Sequence, residues 1–177
     1  MFTKSVESIT ECKKSDIPEL VEIAKSTYAE TYPGFFTSER LAEIFTAEKF
    51  ENDLENPSCR IFVAQRGVQL VGYAKVIFDA QMILDKIYVA EKMKGTGCGI
   101  RLIQACFQLA LSKNIHQSKV FVFDTNTKVK GFYEKFGFRE NGEKEPYYNN
   151  GKLAGYDNVM LCDDIRKYLA STMRPKL

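Results

Sequence analysis

The chain has 177 residues, 45% of them hydrophobic and 27% charged, with 25 Lys and Arg against 23 Asp and Glu. That length and balance fit one globular domain with a sizeable core and exclude a disordered chain, while a net charge of +2 lacks the basic excess of a dedicated nucleic-acid binder. A single histidine, His116, excludes a multi-histidine metal centre and makes any Ser-His-Asp or Cys-His scheme depend on that one ring.

Residues 1–10 hold no apolar run before a cleavage site, so no signal peptide is expected, and no stretch reaches the ~18 apolar residues of a membrane span. Val6 to Cys12 reads as a short first strand. Ser15 and Asp16, followed by Pro18, read as a helix start, and Ile17, Leu20, Val21, Ala24 and Tyr28 recur at helical spacing. A Pro-Gly turn lies between Thr31 and Thr37. Ser38 is the expected cap of a second helix carrying Leu41, Ile44 and Phe45, and Glu48 to Leu54 reads as a third, ending near Asn56-Pro57. Three strands follow: Arg60 to Gln65, Gln69 to Phe78 and Gln81 to Val89.

Lys92 to Gly99 is glycine-rich and opens a long helix to about Lys113. Its polar positions Arg101, Gln104, Gln108 and Ser112 form a narrow stripe, so the helix is expected to be packed on most sides. Lys119 to Asp124 reads as a strand and Lys128 to Lys135 as a helix, with Gly137 suited to a left-handed cap. Tyr156 to Leu161 is the expected closing strand, and Ser171 to Leu177 a frayed end. His116 is expected on the surface, in a loop. The five cysteines, Cys12, Cys59, Cys98, Cys106 and Cys162, form no CxxC pair and fit reduced thiols in a cytosol.

The strand, glycine turn and helix form a physical unit. Gly95, Gly97 and Gly99 clear side chains from backbone amides, and the helix start adds unpaired N–H groups and a positive dipole end. Lys86, Lys92, Lys94 and Arg101 against Glu91 give a local net of +3, so phosphate or pyrophosphate is the natural guest. A dinucleotide G-x-G-x-x-G fails at Ile100, and no G-K-[ST] follows for a Walker A loop.

Two motifs then coincide. Lys92-Met93-Lys94-Gly95-Thr96-Gly97 resembles the Q/R-x-x-G-x-G/A turn of the GNAT (GCN5-related N-acetyltransferase) superfamily, with Lys92 where Arg or Gln is usual. Asn126, then Tyr133-Glu134-Lys135-Phe136-Gly137-Phe138, is similar to the family's later N-x-x-A-x-x-F-Y-E-K-x-G-F, with Val129 in place of Ala. Leu54 to Ser58, Gly72 to Val76, Ala80-Gln81 and Asp157 to Met160 also look like the PaiA-type polyamine N-acetyltransferases, although Ile83 stands where related enzymes often carry Glu. The resemblance implies an α/β (α+β) GNAT fold: one domain over 1–177, with a central mixed, mostly antiparallel sheet of about six to seven strands flanked by helices.

By the same resemblance acetyl-CoA is the donor, held by Ile87, Tyr88, Val89, Lys92, Lys94, Gly95, Thr96, Gly97, Cys98, Gly99, Ile100 and Asn126, with no metal. The pyrophosphate is expected on the amides from Lys94 to Gly99, the pantetheine along Ile87 to Val89, and the Val89 amide on the thioester carbonyl. Tyr133 matches the family's catalytic tyrosine, the acid for the departing thiolate. Asp85 shares strand parity with Ile83, Ile87 and Val89 and is the candidate base, beside a water relay. Cys98 reads as a small loop residue open to oxidation, and Cys106 as core.

From Tyr28 to Glu55 seven acids face two bases, a local net of −5. In this family the first helices wall the acceptor cleft, so a cationic amine would be drawn there, with Glu30, Tyr32 and Phe35 as contacts and Tyr28 and Phe36 beside them. A solvated acidic face over core aromatics is the competing reading. The expected activity is transfer of acetyl to a small polyamine such as spermidine or spermine, in the cytoplasm, without nucleic acid or membrane, in a family where homodimers are common. The alternatives are a protein N-terminus, a lysine or another small amine as acceptor, and a non-catalytic acyl-CoA sensor.

Overall fold

The computed structural model describes residues 8–170, so Val6 and the segment 171–177 lie outside the described residues. Seven strands form one sheet in the order β1-β2-β3-β4-β5-β7-β6, flanked by helices. They are β1 (Ser8–Glu11), β2 (Cys59–Arg66), β3 (Gln69–Phe78), β4 (Met82–Val89), β5 (Ser118–Phe123), β6 (Arg139–Asn149) and β7 (Lys152–Cys162). The pairs β1–β2, β2–β3, β5–β7 and β7–β6 are antiparallel, and β4–β5 is parallel. This is the mixed, mostly antiparallel sheet the sequence implies. The described chain packs as two units, residues 8–77 with 86–106, and residues 78–85 with 107–170.

In the first unit, α1 (Ile17–Thr31) follows a short turn that Asp16 closes by accepting the Lys13 amide at 2.8 Å. Pro18 sits in its first turn, where its missing N–H costs no helical bond. Of the face predicted from spacing, Ile17, Leu20, Val21 and Ala24 are buried and Tyr28 is half-buried, and Ile23 and Thr27 extend the buried side. The Glu19 carboxylate accepts the Leu70 amide at 2.9 Å and fastens α1 to β3. Helix α2 (Ser38–Ile44) is capped by Thr37, one residue earlier than expected, whose hydroxyl accepts the Arg40 amide at 3.2 Å. Thr46 caps α3 (Ala47–Glu55) in the same way. Their apolar sides close on Ile61, Val63 and Tyr73, and burial of an Ile or Val side chain stabilises by roughly 1.5–3 kcal/mol.

Helix α4 (Cys98–Ser112) buries Cys98, Leu102, Ile103, Cys106, Phe107 and Ala110 and exposes Arg101, Gln108 and Ser112 of the expected polar stripe, with Gln104 half-buried. In the second unit, α5 (Thr127–Glu134) precedes a long β6–β7 hairpin turned at Asn150-Gly151, both with positive φ. The expected last strand, Tyr156 to Leu161, is only the second half of β7, and β6 has no counterpart among the elements expected from sequence. The physical reason is that Arg139 to Glu145 carries charged and polar side chains at nearly every position, and all are exposed. A short α6 (Arg166–Ala170) follows. Among the described residues no helix is long and apolar enough to cross a membrane.

Candidate active site

β4 ends where the Ala90 amide donates to the Val71 carbonyl of β3 at 2.9 Å. The chain then makes one tight turn, Glu91–Met93, and Met93 is fully buried, an apolar pin beneath an otherwise exposed loop. The Thr96 hydroxyl donates to the Met93 carbonyl at 2.6 Å and draws the loop back over that pin. Gly95 and Gly97 have φ of +77° and +86°, and a Cβ at either would meet nothing within 4 Å. Their glycines therefore serve backbone conformation, not close packing, and the turn faces open space.

The first helical hydrogen bond of α4 runs from the Arg101 amide to the Gly97 carbonyl at 3.0 Å. Helix geometry leaves the amides before Arg101, those of Cys98, Gly99 and Ile100, without an intrahelical acceptor. Donors converging at the start of a 15-residue helix, with open space in front, fit a pyrophosphate. Lys92 is exposed beside them, while the Lys94 ammonium pairs with Glu91, so Lys94 brings less charge than its sequence position implies.

Cys98 departs from expectation. It is the first residue of α4, 1% exposed, and burial pushes its thiol up to about 11. Burial likewise raises Cys12 to about 12, Cys162 to about 11, and Cys106 further. A thiol reacts as thiolate, so a raised pKa keeps it inert below that pH. At pH 8 the buried thiols of Cys98, Cys106 and Cys162 are therefore expected to resist a disulfide reagent in the native protein, and all five cysteines to react once it is unfolded. Fast native labelling of Cys98, read by mass spectrometry, would contradict this burial.

Ile87, Tyr88 and Val89 are half-buried on β4. The Tyr88 ring lies 5.4 Å from Tyr28 and 5.8 Å from Tyr73, so its side chain belongs to an aromatic cluster. Tyr28 is the hub of that cluster, 5.0 Å from Tyr32, 5.1 Å from Phe36 and 5.3 Å from Phe45. Phe35 stacks edge-on to Phe36 at 4.8 Å and is itself 37% exposed. The fold thus brings Tyr32 and Phe35 together and leaves Glu30 exposed on α1.

The acidic segment is partly compensated. Glu43 pairs with Arg40, Glu55 with Lys14 and Asp53 with Lys75, each at 2.8 Å. Glu30, Glu39, Glu48 and Glu51 are exposed carboxylates, and hydrogen bonds from its own amide and Thr37 hold Glu39 below the usual range. A cavity of about 280 Å³ opens between α2–α3 and strands β3 and β4, with Phe45 and Phe50 as its apolar wall and Lys49, Asp53, Lys75 and Lys86 as its polar lining.

In the second unit the parallel β4–β5 register runs Met82↔Ser118, Ile83↔Lys119 and Leu84↔Val120. Met82 and Leu84 are fully buried, and Asp85, one position on, is exposed. Asn126 caps α5, its side-chain oxygen accepting the Val129 amide at 3.3 Å, so its amide nitrogen is the group left to donate elsewhere.

Tyr133 is 4% exposed at the end of α5. The Phe138 amide donates to the Tyr133 carbonyl at 3.3 Å and the Gly137 amide to the Glu134 carbonyl at 3.1 Å. With Gly137 at φ +81°, this is a Schellman ending, and its customary apolar contact is the Phe138 ring 5.5 Å from Tyr133. The Tyr-Glu-Lys-Phe-Gly-Phe run is thus a helix stop that fixes the tyrosine ring. His116 is half-buried, and its carbonyl accepts the Ile165 amide.

An acetyltransferase (GNAT) domain model matches residues 11–154, and the chain belongs to this family. It is an N-acetyltransferase that takes its acetyl group from acetyl-CoA. It is similar to an uncharacterized N-acetyltransferase of Mycobacterium tuberculosis, 27% identical over 136 residues, which are 73% of this chain and 87% of that protein. The thialysine Nε-acetyltransferase of Sus scrofa is 28% identical over 109 residues, 54% of this chain and 64% of its own length. In structure the chain is similar to the PaiA N-acetyltransferase from Thermoplasma acidophilum in complex with coenzyme A, with a TM-score of 0.74 and 21% identity over 88% of this chain and 98% of that one.

The sequence singles out the glycine turn, Tyr133 and the Tyr32–Phe35 aromatics as candidates. It passes over Met93, the Thr96 hydroxyl and Gly72, whose part depends on packing; Gly72-Tyr73 reads only as part of a family-like strand.

Proposed function

We propose that the enzyme acetylates a primary amine of a small polyamine. The observation that carries this reading is the set of exposed carboxylates Glu30, Glu39, Glu48 and Glu51 on α1, α2 and α3, in the same stretch of chain as the clustered Tyr32, Phe35 and Phe36 rings. A cation is drawn to such a field, and aromatic faces suit an alkylammonium chain.

Acetyl-CoA supplies an activated thioester. The amides of Cys98, Gly99 and Ile100, with Lys92, hold its pyrophosphate, and the backbone of Ile87 to Val89 aligns its pantetheine. The Val89 amide donates to the thioester oxygen as charge grows there. Alkylammonium groups titrate near ~10, so the acceptor must lose a proton before it attacks, to Asp85 or through water. Tyr133 donates its phenolic proton to the departing thiolate, and Asn126 adds a side-chain amide donor to the cofactor.

A second reading, a lysine-like amine, is favoured by the similarity to the thialysine enzyme. Thiol release from acetyl-CoA against spermidine, spermine, thialysine, a lysine peptide and no amine separates the two. Spermidine or spermine is expected to give the highest kcat/KM. Preference for thialysine or the peptide moves the acceptor class, and CoA binding without turnover on any amine replaces the enzyme with a sensor.

A further inference from the structure

Gly72 stands in the middle of β3 between the buried Val71 and Tyr73, where a glycine weakens a strand and demands a packing reason. A Cβ built on Gly72 would lie 2.9 Å from the Tyr88 carbonyl oxygen, 3.3 Å from the Cys98 sulfur and 3.4 Å from a Leu102 methyl. The first of these is closer than a carbon atom can sit, and the obstacle is backbone. Three segments therefore converge on the bare Cα: the end of β4, the first residue of α4 and the next turn of α4.

We propose that Gly72 is a positioning residue for the acetyl-CoA site, setting the aim of the Val89 amide and the seat of the α4 N-terminus. The inference rests on the placement of the cofactor along Val89 and the glycine turn given above. The Tyr88 carbonyl and the Val89 N–H belong to one planar trans peptide and point to opposite sides. Whatever holds the carbonyl against Gly72 therefore directs the N–H away from β3. The neighbouring amide of Ala90 is pinned to the Val71 carbonyl at 2.9 Å, so this peptide cannot yield by sliding along the strand and must tilt. Cys98, buried and small, fills the remaining space and seats the first residue of α4 against the same point.

The test is Gly72→Ala in the full chain. Calorimetry with CoA alone is expected to show Kd about tenfold weaker. KM for acetyl-CoA should rise in parallel, and kcat at saturation should fall about tenfold, part of the 10²–10³ that losing an oxyanion donor outright costs. KM for the amine should stay within twofold. A folded Gly72→Ala protein with a lower Tm but unchanged CoA Kd and kcat overturns the proposal, since a merely structural glycine predicts that result. If the variant does not fold, Cys98→Val presses on the same seat from α4, and an unchanged CoA Kd there overturns it equally. Gly97→Val separates this inference from the reading beneath it: if Gly97→Val also leaves CoA binding unchanged, it is the placement of the cofactor that has failed.

Discussion

Tyr133→Phe is expected to lower kcat about 10²-fold while CoA binds as tightly as before. General acids contribute 10²–10⁴ to turnover, and a phenol serving a thiolate belongs at the lower end, because the thiolate is itself a tolerable leaving group. The substitution removes only the hydroxyl. The ring stays wedged between Phe132 at 5.4 Å and Phe138 at 5.5 Å, and the Schellman bonds use backbone atoms, so the ring and the helix end are expected to stay in place. The pair of measurements is thiol release at saturating substrates and calorimetric CoA affinity. An unchanged kcat removes Tyr133 from the chemistry. Equal losses in turnover and CoA affinity make it a packing residue.

Phe138→Ala carries the largest expected loss of stability. Phe138 is fully buried, with its ring 6.2 Å from Phe107 and 5.5 Å from Tyr133. Emptying such a site costs about 3–5 kcal/mol, the lost transfer energy plus the cavity left behind. At 2–4 °C per kcal/mol for a chain of this size, Tm should fall by roughly 10 °C. Because the same ring closes the helix end that fixes Tyr133, activity should drop even well below the new Tm, and kcat should suffer more than KM for acetyl-CoA. A fall in Tm with full kcat at low temperature means the Tyr133 ring is held by other contacts.

The parts of this fold legible in sequence are those whose residue pattern is set by one dominant force. Helix α4 shows its narrow polar stripe because nearly every other face is buried, and α1 shows Ile17, Leu20, Val21 and Ala24 for the same reason. The glycine turn was legible because positive φ at Gly95 and Gly97 leaves little choice of residue. Helix caps were legible only to within one position, since Thr37 and Ser38 are chemically alike and the backbone decides between them. Asn126 was expected to face the cofactor, and its oxygen turned out to be engaged in capping α5. Gly72 shows its part only once Tyr88 and Cys98, far apart along the chain, meet at its Cα. β6 was hidden because it buries almost nothing, although Asn150-Gly151 flanked by Tyr147-Tyr148 and Leu153 is a strong hairpin signal.

That same polarity has a consequence for the protein in a crowded solution. Among the described residues β6 is a terminal strand of the sheet, the kind of margin onto which another chain can zip. Its exposed charges at Glu140, Glu143, Lys144 and Glu145, the proline at Pro146 and the irregular register between Glu140 and Lys144 make a poor template. A newcomer would have to shed water from four charges, find no amide at the proline and bend around the bulge. The outer strand of the hairpin can thus stand exposed along the sheet margin without recruiting copies of itself into a fibre.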